Sequence, residues 1–486
     1  MASVRKALIA FYLTLGMAIL LLPLVGLLWY ETDTSEMPAP SEEVIFDLAY
    51  LAKLGDFFEE NFAYRKEFLS LNGHMRYAVG VSATNQVIIG TNEWLFFVET
   101  LDDYLGRNLM SERQAYNIVH NLELTQSFVE RHGAQFVATI APNKNSVYGK
   151  YMPTRYRVVS DTSNIDLLEE HLAHTEVTYA DLFAPLRAAA AEQNLSGLGI
   201  YYKRDTHWNN RGALIAYSTV LDTLDREHGR YESVNPRIEP VNVGDLDRML
   251  LIENVDHEEG YVYHENLKLR YVDKTQDANS DYLVTANPAQ TGSLLMYRDS
   301  FADMLVPFFA EEFERAVFTQ YIPYNLEYDL LTGSFDYVVF QRAERSISLW
   351  QDNPPVFEGP TVEVALPAFN ELSLTLDAND ETATPTLTAV HTDGDYVVVD
   401  GILDPQLAQH PNVQIYIALE QQGDTVPRVY QPFYITATRD GLPSAYGFRL
   451  YLRKTSLEQN DTPFYVILED SGKQSVVATG IISQEN

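Results

Sequence analysis

Two textures divide this chain and predict an α/β domain followed by an all-β one. Between residues 44 and 355, short apolar runs alternate with amphipathic ones, the pattern of a mostly parallel sheet flanked by helices. From 356 to 486, β-branched and aromatic runs such as DYVVVDGIL, NVQIYIALEQ and PFYVILED are separated by Gly, Pro, Asn and Asp, and predict a β-sandwich. A third observation concerns the start of the chain. Ala7 to Tyr30 holds no charged residue, and about 20 apolar residues suffice to cross a bilayer. Residues 1–35 therefore read as a membrane anchor, joined by a proline-bearing linker at 36–43.

The elements follow in order. The anchor is uncleaved in this reading, since the apolar run is long and no A-x-A-like site follows it. Arg5 and Lys6 precede it and the acidic ETDTSE follows, so the positive-inside tendency puts the rest of the chain outside the cytoplasm, extracellular or periplasmic. VIFDLAYLAKLGDFFEENF (44–62) has helical spacing, and QVIIG (86–90) and EWLFF (93–97) read as strands. Residues 111–133 form a helix capped by Ser111 and stopped at Gly133. AQFVATIAP (134–142), GSLLMY (292–297) and FDYVVF (335–340) read as buried strands.

Composition narrows the function. Hydrophobic residues make up 46% of the chain, enough for a core, and 34 Lys plus Arg against 68 Asp plus Glu give a net charge of −34. Such a surface repels phosphate backbones, so no nucleic acid partner is expected, and an anionic polymer needs a local basic patch. Cysteine is absent, which removes disulfides and thiolate metal sites.

YYKRDTHWNNRGALIAY (201–217) crowds Asp205, His207, Trp208, Asn209 and Asn210 into the entrance of a helix. Ala213, Leu214, Ala216, Tyr217, Val220, Leu221 and Leu224 repeat on one face, and Asn209 or Asn210 is the natural cap. Asp205 and His207 thus lie in the preceding loop, at a spacing that lets a carboxylate orient an imidazole. A metal reading has these two ligands but no third at useful spacing, and HEEGYVYHE (257–265) reads as a solvated loop, so neither metal nor cofactor is expected. Some 90 residues on, the strand Ser293 to Tyr297 ends at Arg298-Asp299-Ser300. A helix follows with Phe301, Met304, Leu305, Phe308 and Phe309 on its apolar side. A serine at such a junction presents its hydroxyl at the sheet edge, with its own N–H at the positive end of the helix.

Together these elements resemble the AlgX/AlgJ-like family of SGNH-type alginate O-acetyltransferases, in which a D-x-H-W-N element precedes a D-S-F serine motif. Asp205 to Asn209 match the first and Asp299-Ser300-Phe301 the second, with Arg298 where the family often has Gly. IIGTNEWLFF (88–97), APNKNSVYGKYMP (141–153) and FDYVVFQRAERS (335–346) are similar to further family segments, so the resemblance covers roughly 45–350. It implies an SGNH-hydrolase-like domain at 44–355, with Ser300 as nucleophile, His207 as base and then acid, and Asp205 as its orienting carboxylate. Asn143, Lys144, Tyr148, Arg298 and Arg345 become candidates for oxyanion or substrate contacts. It also implies a polysaccharide acceptor and an acetyl donor delivered by a polytopic membrane acyltransferase; the β-domain, outside the resemblance, has two readings, holding the polymer or a purely structural role. Whether the acyl group goes to sugar or to water, as in an O-acetylesterase, the triad leaves open. The alternative of a non-catalytic glycan-binding or assembly protein on the same fold is one that the intact Asp205, His207 and Ser300 argue against.

Overall fold

The central sheet is built from seven strands, and their order decides which loops can meet. In the computed structural model of the chain they are β1 (Gln135–Ala141), β2 (Tyr179–Ala180), β3 (Arg270–Tyr271), β4 (Tyr282–Ala286), β5 (Ser293–Tyr297), β6 (Arg315–Thr319) and β7 (Tyr337–Ala343). Described are residues 64–192, 198–229, 236–242, 244–253, 257–263, 267–364, 366, 387–408, 410–421, 426–439, 441–459 and 461–483, with isolated positions before 64. All but three positions of the expected anchor at 1–35, the linker and most of the 44–62 helix lie outside them. Among the described residues, no helix is long and apolar enough to cross a membrane.

The order across the sheet is β2-β1-β7-β5-β6-β4-β3. The five strands from β2 to β6 run parallel, while β4 pairs antiparallel with both β6 and β3. The sheet is therefore mixed, which corrects the mostly parallel one expected from the alternating pattern. A single loop, residues 272–281, joins β3 to β4 with no helix to carry the chain back across the sheet, so that pair must be antiparallel. The central strands β5 and β7 are buried on both faces, as their unbroken apolar runs require.

Helix α1 (Glu112–Arg131) starts at a capping box. Ser111 accepts the Gln114 N–H, and the Gln114 side chain accepts the Ser111 N–H. It packs against β1 on one side and the β-domain on the other, which explains why polar Arg113, Asn117, His120 and Asn121 are buried on it. All four donate to or accept from β-domain backbone: Arg113 to the carbonyls of Pro411 and Val413, Asn117 to Ala445, His120 to Pro432 and Asn121 to Tyr434.

The β-domain consists of β8 (Leu387–Asp393), β9 (Tyr396–Ile402), β10 (Gln414–Leu419), β11 (Arg428–Tyr430), β12 (Phe433–Arg439), β13 (Leu442–Arg453), β14 (Asp461–Asp470) and β15 (Lys473–Ser483). They form two four-stranded sheets, β8-β9-β13-β12 and β11-β10-β14-β15. Alternate residues Val397 and Val399, Ile415 and Ile417, Leu450 and Leu452, Val466 and Leu468 from both sheets share one core.

Gly90–Gly244 with His257–Asn486 form one compact unit, to which all of the above belongs, and Met1–Ile89 with Asp245–Asp256 form another. In the second, the helix Arg65–Ala78 places Gly73 where a Cβ would meet the Leu250 carbonyl oxygen at 2.6 Å, and Ser70 Oγ accepts the Glu253 N–H at 3.1 Å.

Candidate active site

Parallel strands deliver their C-terminal ends to one edge, so the loops after β5, β7, β1 and β6 gather there. The turn after β5 is fixed first. Asp299 caps a 3₁₀ turn, Ser300–Met304, by accepting the Phe301 N–H at 3.0 Å. The chain then continues as α3 (Val306–Glu312), so the helix expected directly after Ser300 is preceded by a tighter turn. Asp299 is also tied to β7: its other carboxylate oxygen accepts the Ala343 N–H at 2.6 Å. With Gln341 it makes a reciprocal pair, at 3.0 and 3.1 Å. The serine thus sits on a turn held from two sides, with Phe301 anchored below at 0% exposure.

The imidazole comes from the loop before α2 (Asn210–Thr223). Asn209 caps this helix, accepting the N–H groups of Arg211 at 2.9 Å and Gly212 at 3.3 Å. Trp208, fully buried, packs edge-on against Phe301 with ring centroids 5.3 Å apart, so the two motifs meet through their aromatic residues. His207 Nδ1 lies 2.7 Å from Asp205 Oδ1, and its Nε2 lies 2.9 Å from Ser300 Oγ. The Asp205 carboxylate also accepts the His207 backbone N–H at 3.0 Å. With the proton on Nδ1 facing Asp205, Nε2 is the nitrogen that can accept from the serine hydroxyl. The geometry is that of a nucleophile, a base and an orienting acid joined in sequence.

The remaining candidates divide by burial. Lys144 is 4% exposed and its Nζ donates to the carbonyls of Tyr202 at 3.2 Å, Lys203 at 3.0 Å and Asp205 at 2.6 Å. It also lies over the rings of Trp94 and Phe96. The ammonium therefore holds the loop that carries Asp205 and is not a substrate contact. Tyr148 is fully buried: its hydroxyl accepts the Ile200 N–H at 3.0 Å, its ring stacks on Trp94, and burial pushes its pKa up to about 12. Arg298, at 0% exposure, donates to Asp303 and to the carbonyls of Asp299, Ala278 and Ser280. Neither Tyr148 nor Arg298 faces a substrate, because each satisfies backbone or carboxylate groups that burial would otherwise leave unpaired. Asn143 starts the helix after β1 and its amide donates to Asp103 at 3.2 Å. Arg345 is half-buried with its guanidinium 5.3 Å from the Phe301 ring centre, which places a cation beside the turn that carries Ser300.

Two carboxyls that sequence reasoning passed over complete the site. Glu258, in the stretch read as a solvated loop, lies on the strand Glu258–Val262. It accepts the N–H groups of Lys203 at 2.5 Å and Arg204 at 3.0 Å, and burial raises its pKa. Glu344, directly after β7, accepts the Asn143 N–H and the Ser146 hydroxyl, each at 2.7 Å. Burial pushes its pKa up to about 7 against the pull of those two donors. Its place beside Arg345 in the strand's E-R ending was the available signal.

Comparison with known proteins takes in the Asp205–His207 half of the site and stops short of Ser300. The family described as "SGNH hydrolase-like domain, acetyltransferase AlgX" matches residues 87–295. The "Probable alginate O-acetylase AlgJ" of Pseudomonas putida is 29% identical over 143 residues, 29% of this chain and 34% of that protein. The protein of the same description from Azotobacter vinelandii is 24% identical over 170 residues, 34% and 41% of the two chains. The chain thus spans well under half the length of these curated relatives. Among solved structures, the O-acetyltransferase domain of Pseudomonas putida AlgJ superposes with a TM-score of 0.35 at 17% identity, covering 54% of this chain and 91% of that one. Pseudomonas aeruginosa AlgX does so with a TM-score of 0.34 at 14% identity, covering 82% and 91%. With residues 87–295 matching the AlgX description and these curated relatives described as probable alginate O-acetylases AlgJ, the chain is similar to AlgX/AlgJ-like SGNH-type alginate O-acetyltransferases.

Proposed function

We propose that this chain is a serine-dependent O-acetyltransferase that moves an acetyl group to hydroxyls of an exopolysaccharide or cell-wall glycan. The observation that carries the reading is the hydrogen-bonded line from Asp205 through His207 to Ser300, at 2.7 and 2.9 Å. Ser300 Oγ attacks the acetyl carbonyl carbon while His207 Nε2 takes the hydroxyl proton. The donor's C–O bond breaks and the departing oxygen receives that proton, leaving acetyl-Ser300 and the free donor alcohol. In the second half a glycan hydroxyl gives its proton to His207, attacks the acetyl carbon and releases Ser300, which takes the proton back. Asp205 stabilises the imidazolium in both halves. The Ser300 N–H meets the oxyanion in this reading.

The relatives named as alginate O-acetylases support the acyl group and the acceptor class. The apolar N-terminal run supports an ectodomain tethered outside the cytoplasm, in reach of a polytopic acyltransferase as donor partner. A glycan-holding role for the β-domain belongs to the same proposal.

The test uses the purified chain, an acetyl ester such as 4-nitrophenyl acetate, and intact-mass detection of acetyl-Ser300. Ser300→Ala should abolish the mass increase and lower turnover by about 10³-fold or more. Turnover equal to wild type would remove the enzyme reading. Recovery of acetyl on an added oligosaccharide, against free acetate, separates transferase from esterase.

A further inference from the structure

Two strands across from the end of β5, two tyrosines stand exposed in parallel. Tyr282 opens β4 at 40% exposure and Tyr321 follows β6 at 61%, with ring planes 5° apart and centroids 6.2 Å apart. At that separation the rings are offset, so each keeps aromatic surface uncovered by the other. Their place relative to Ser300 is set by register. Thr319 pairs with Tyr282 on one side and with Tyr297, the last residue of β5, on the other. Tyr282 therefore lies two strand spacings, roughly 10 Å, from the strand end that leads into Ser300.

The spacing is held by bonds as well as by the sheet. Arg298, which precedes Asp299 and Ser300, donates from its backbone to the Thr319 carbonyl at 2.9 Å. Its guanidinium donates to the carbonyls of Ala278 at 3.0 Å and Ser280 at 2.8 Å, in the loop feeding Tyr282. Gln320 N–H donates to the Asp281 carbonyl at 2.7 Å, and Tyr321 N–H to Thr319 Oγ1 at 3.2 Å, which fixes the second ring against the first. One buried arginine thus spans the nucleophile turn and the loop that presents the rings.

We infer that Tyr282 and Tyr321 form an acceptor subsite that stacks a pyranose ring of the glycan and delivers a neighbouring hydroxyl to acetyl-Ser300. The inference rests on the transferase reading and adds where the acceptor lies. A pyranose presents a face of C–H groups that matches an aromatic surface and a rim of hydroxyls that the phenol oxygens can meet. Covering the pair removes exposed apolar area from water. A pair whose backbone is held two strand spacings from the end of β5 also supplies the orientation that transfer to sugar needs over transfer to water.

The experiment separates the subsite from the chemistry. Binding of a mannuronate hexamer and, separately, of cellohexaose is followed by saturation-transfer NMR on Ser300→Ala and on Ser300→Ala carrying Tyr282→Ala and Tyr321→Ala. Transfer to the same sugars from 4-nitrophenyl acetate is measured for wild type and for the double tyrosine variant. Expected are loss of the sugar signal when both tyrosines are removed and a fall of about 10-fold in the ratio of sugar to water acetylation, carried by the acceptor KM. Tyr321→Trp should keep the ratio, since it keeps a stacking face. The proposal is overturned if wild type forms acetyl-Ser300 yet transfers to neither sugar, or if the double variant binds and transfers as wild type does. It is also overturned if wild type sediments as a dimer that the double variant loses, which would assign the rings to self-association. Tyrosine-dependent binding with no acetyl-Ser300 would instead fault the catalytic reading alone.

Discussion

Lys144 shows how a residue can matter to chemistry without meeting the substrate. Three carbonyls of the Asp205 loop converge on its ammonium, while Glu258 takes two N–H groups of the same loop from another strand. Removing the ammonium leaves buried carbonyls unpaired, at about 1–3 kcal/mol each before relaxation. Relaxation moves Asp205, and His207 moves with it. Lys144→Met, which keeps the stem and drops the charge, should lower kcat for ester turnover by roughly 10–100-fold, because small misplacements of a base are costly. Donor KM should hold within about twofold, since the side chain touches no substrate. A steady-state comparison checks the split, and a loss confined to KM would return Lys144 to a substrate-contacting role.

At the scale of elements, the helix behind His207 starts where the chain is tightest. A Cβ on Gly212 would meet the Ile200 carbonyl oxygen at 2.4 Å and Trp208 Cβ at 2.8 Å. Gly to Ala in a helix ordinarily gains up to about 1 kcal/mol. Here the clash is with backbone, so Gly212→Ala should lose about 1–3 kcal/mol, lower the melting temperature and reduce turnover by displacing His207. A melting temperature at or above wild type would show that the α2 start can shift freely. This element was legible in the sequence, with the cap narrowed to Asn209 or Asn210, because caps and helical period act over a few residues. The Ser111 box of α1 and strands β1, β5 and β7 were legible for the same reason. The antiparallel β3 and β4 were not, because strand direction depends on partners that period alone does not name. Nor were the Glu258 contacts or the Tyr282 and Tyr321 pair, which exist only once cross-strand register brings distant residues to one edge. Arg298 and Tyr148 were read toward the substrate since their burial is a tertiary property.

Across the whole compact unit, the α/β region and the β-domain share a polar seam along α1, and its histidine makes the seam sensitive to acid. His120 is 3% exposed, stacks on Tyr434 with ring centroids 4.0 Å apart, and lies 3.0 Å from the Pro432 carbonyl. Burial pushes its pKa down to about 4, with nearby Arg113 adding to the fall and the Pro432 carbonyl opposing it. In the unfolded chain an imidazole protonates near pH 6.5, while in the folded seam it stays neutral until about pH 4. Between those values the unfolded state binds the extra proton, so stability that His120 contributes above pH 6.5 is lost as pH falls towards 4, by about 1.4 kcal/mol per unit. His120→Gln removes that slope while sacrificing the stack, and should cost about 1–3 kcal/mol at pH 7.5. Urea unfolding of both proteins from pH 7.5 to 4.5 should show wild type losing roughly 2–3 kcal/mol more than the variant, enough to cancel or reverse the initial difference. A difference that stays constant would mean the seam opens to solvent before it unfolds, and that the β-domain parts from α1 in a step of its own.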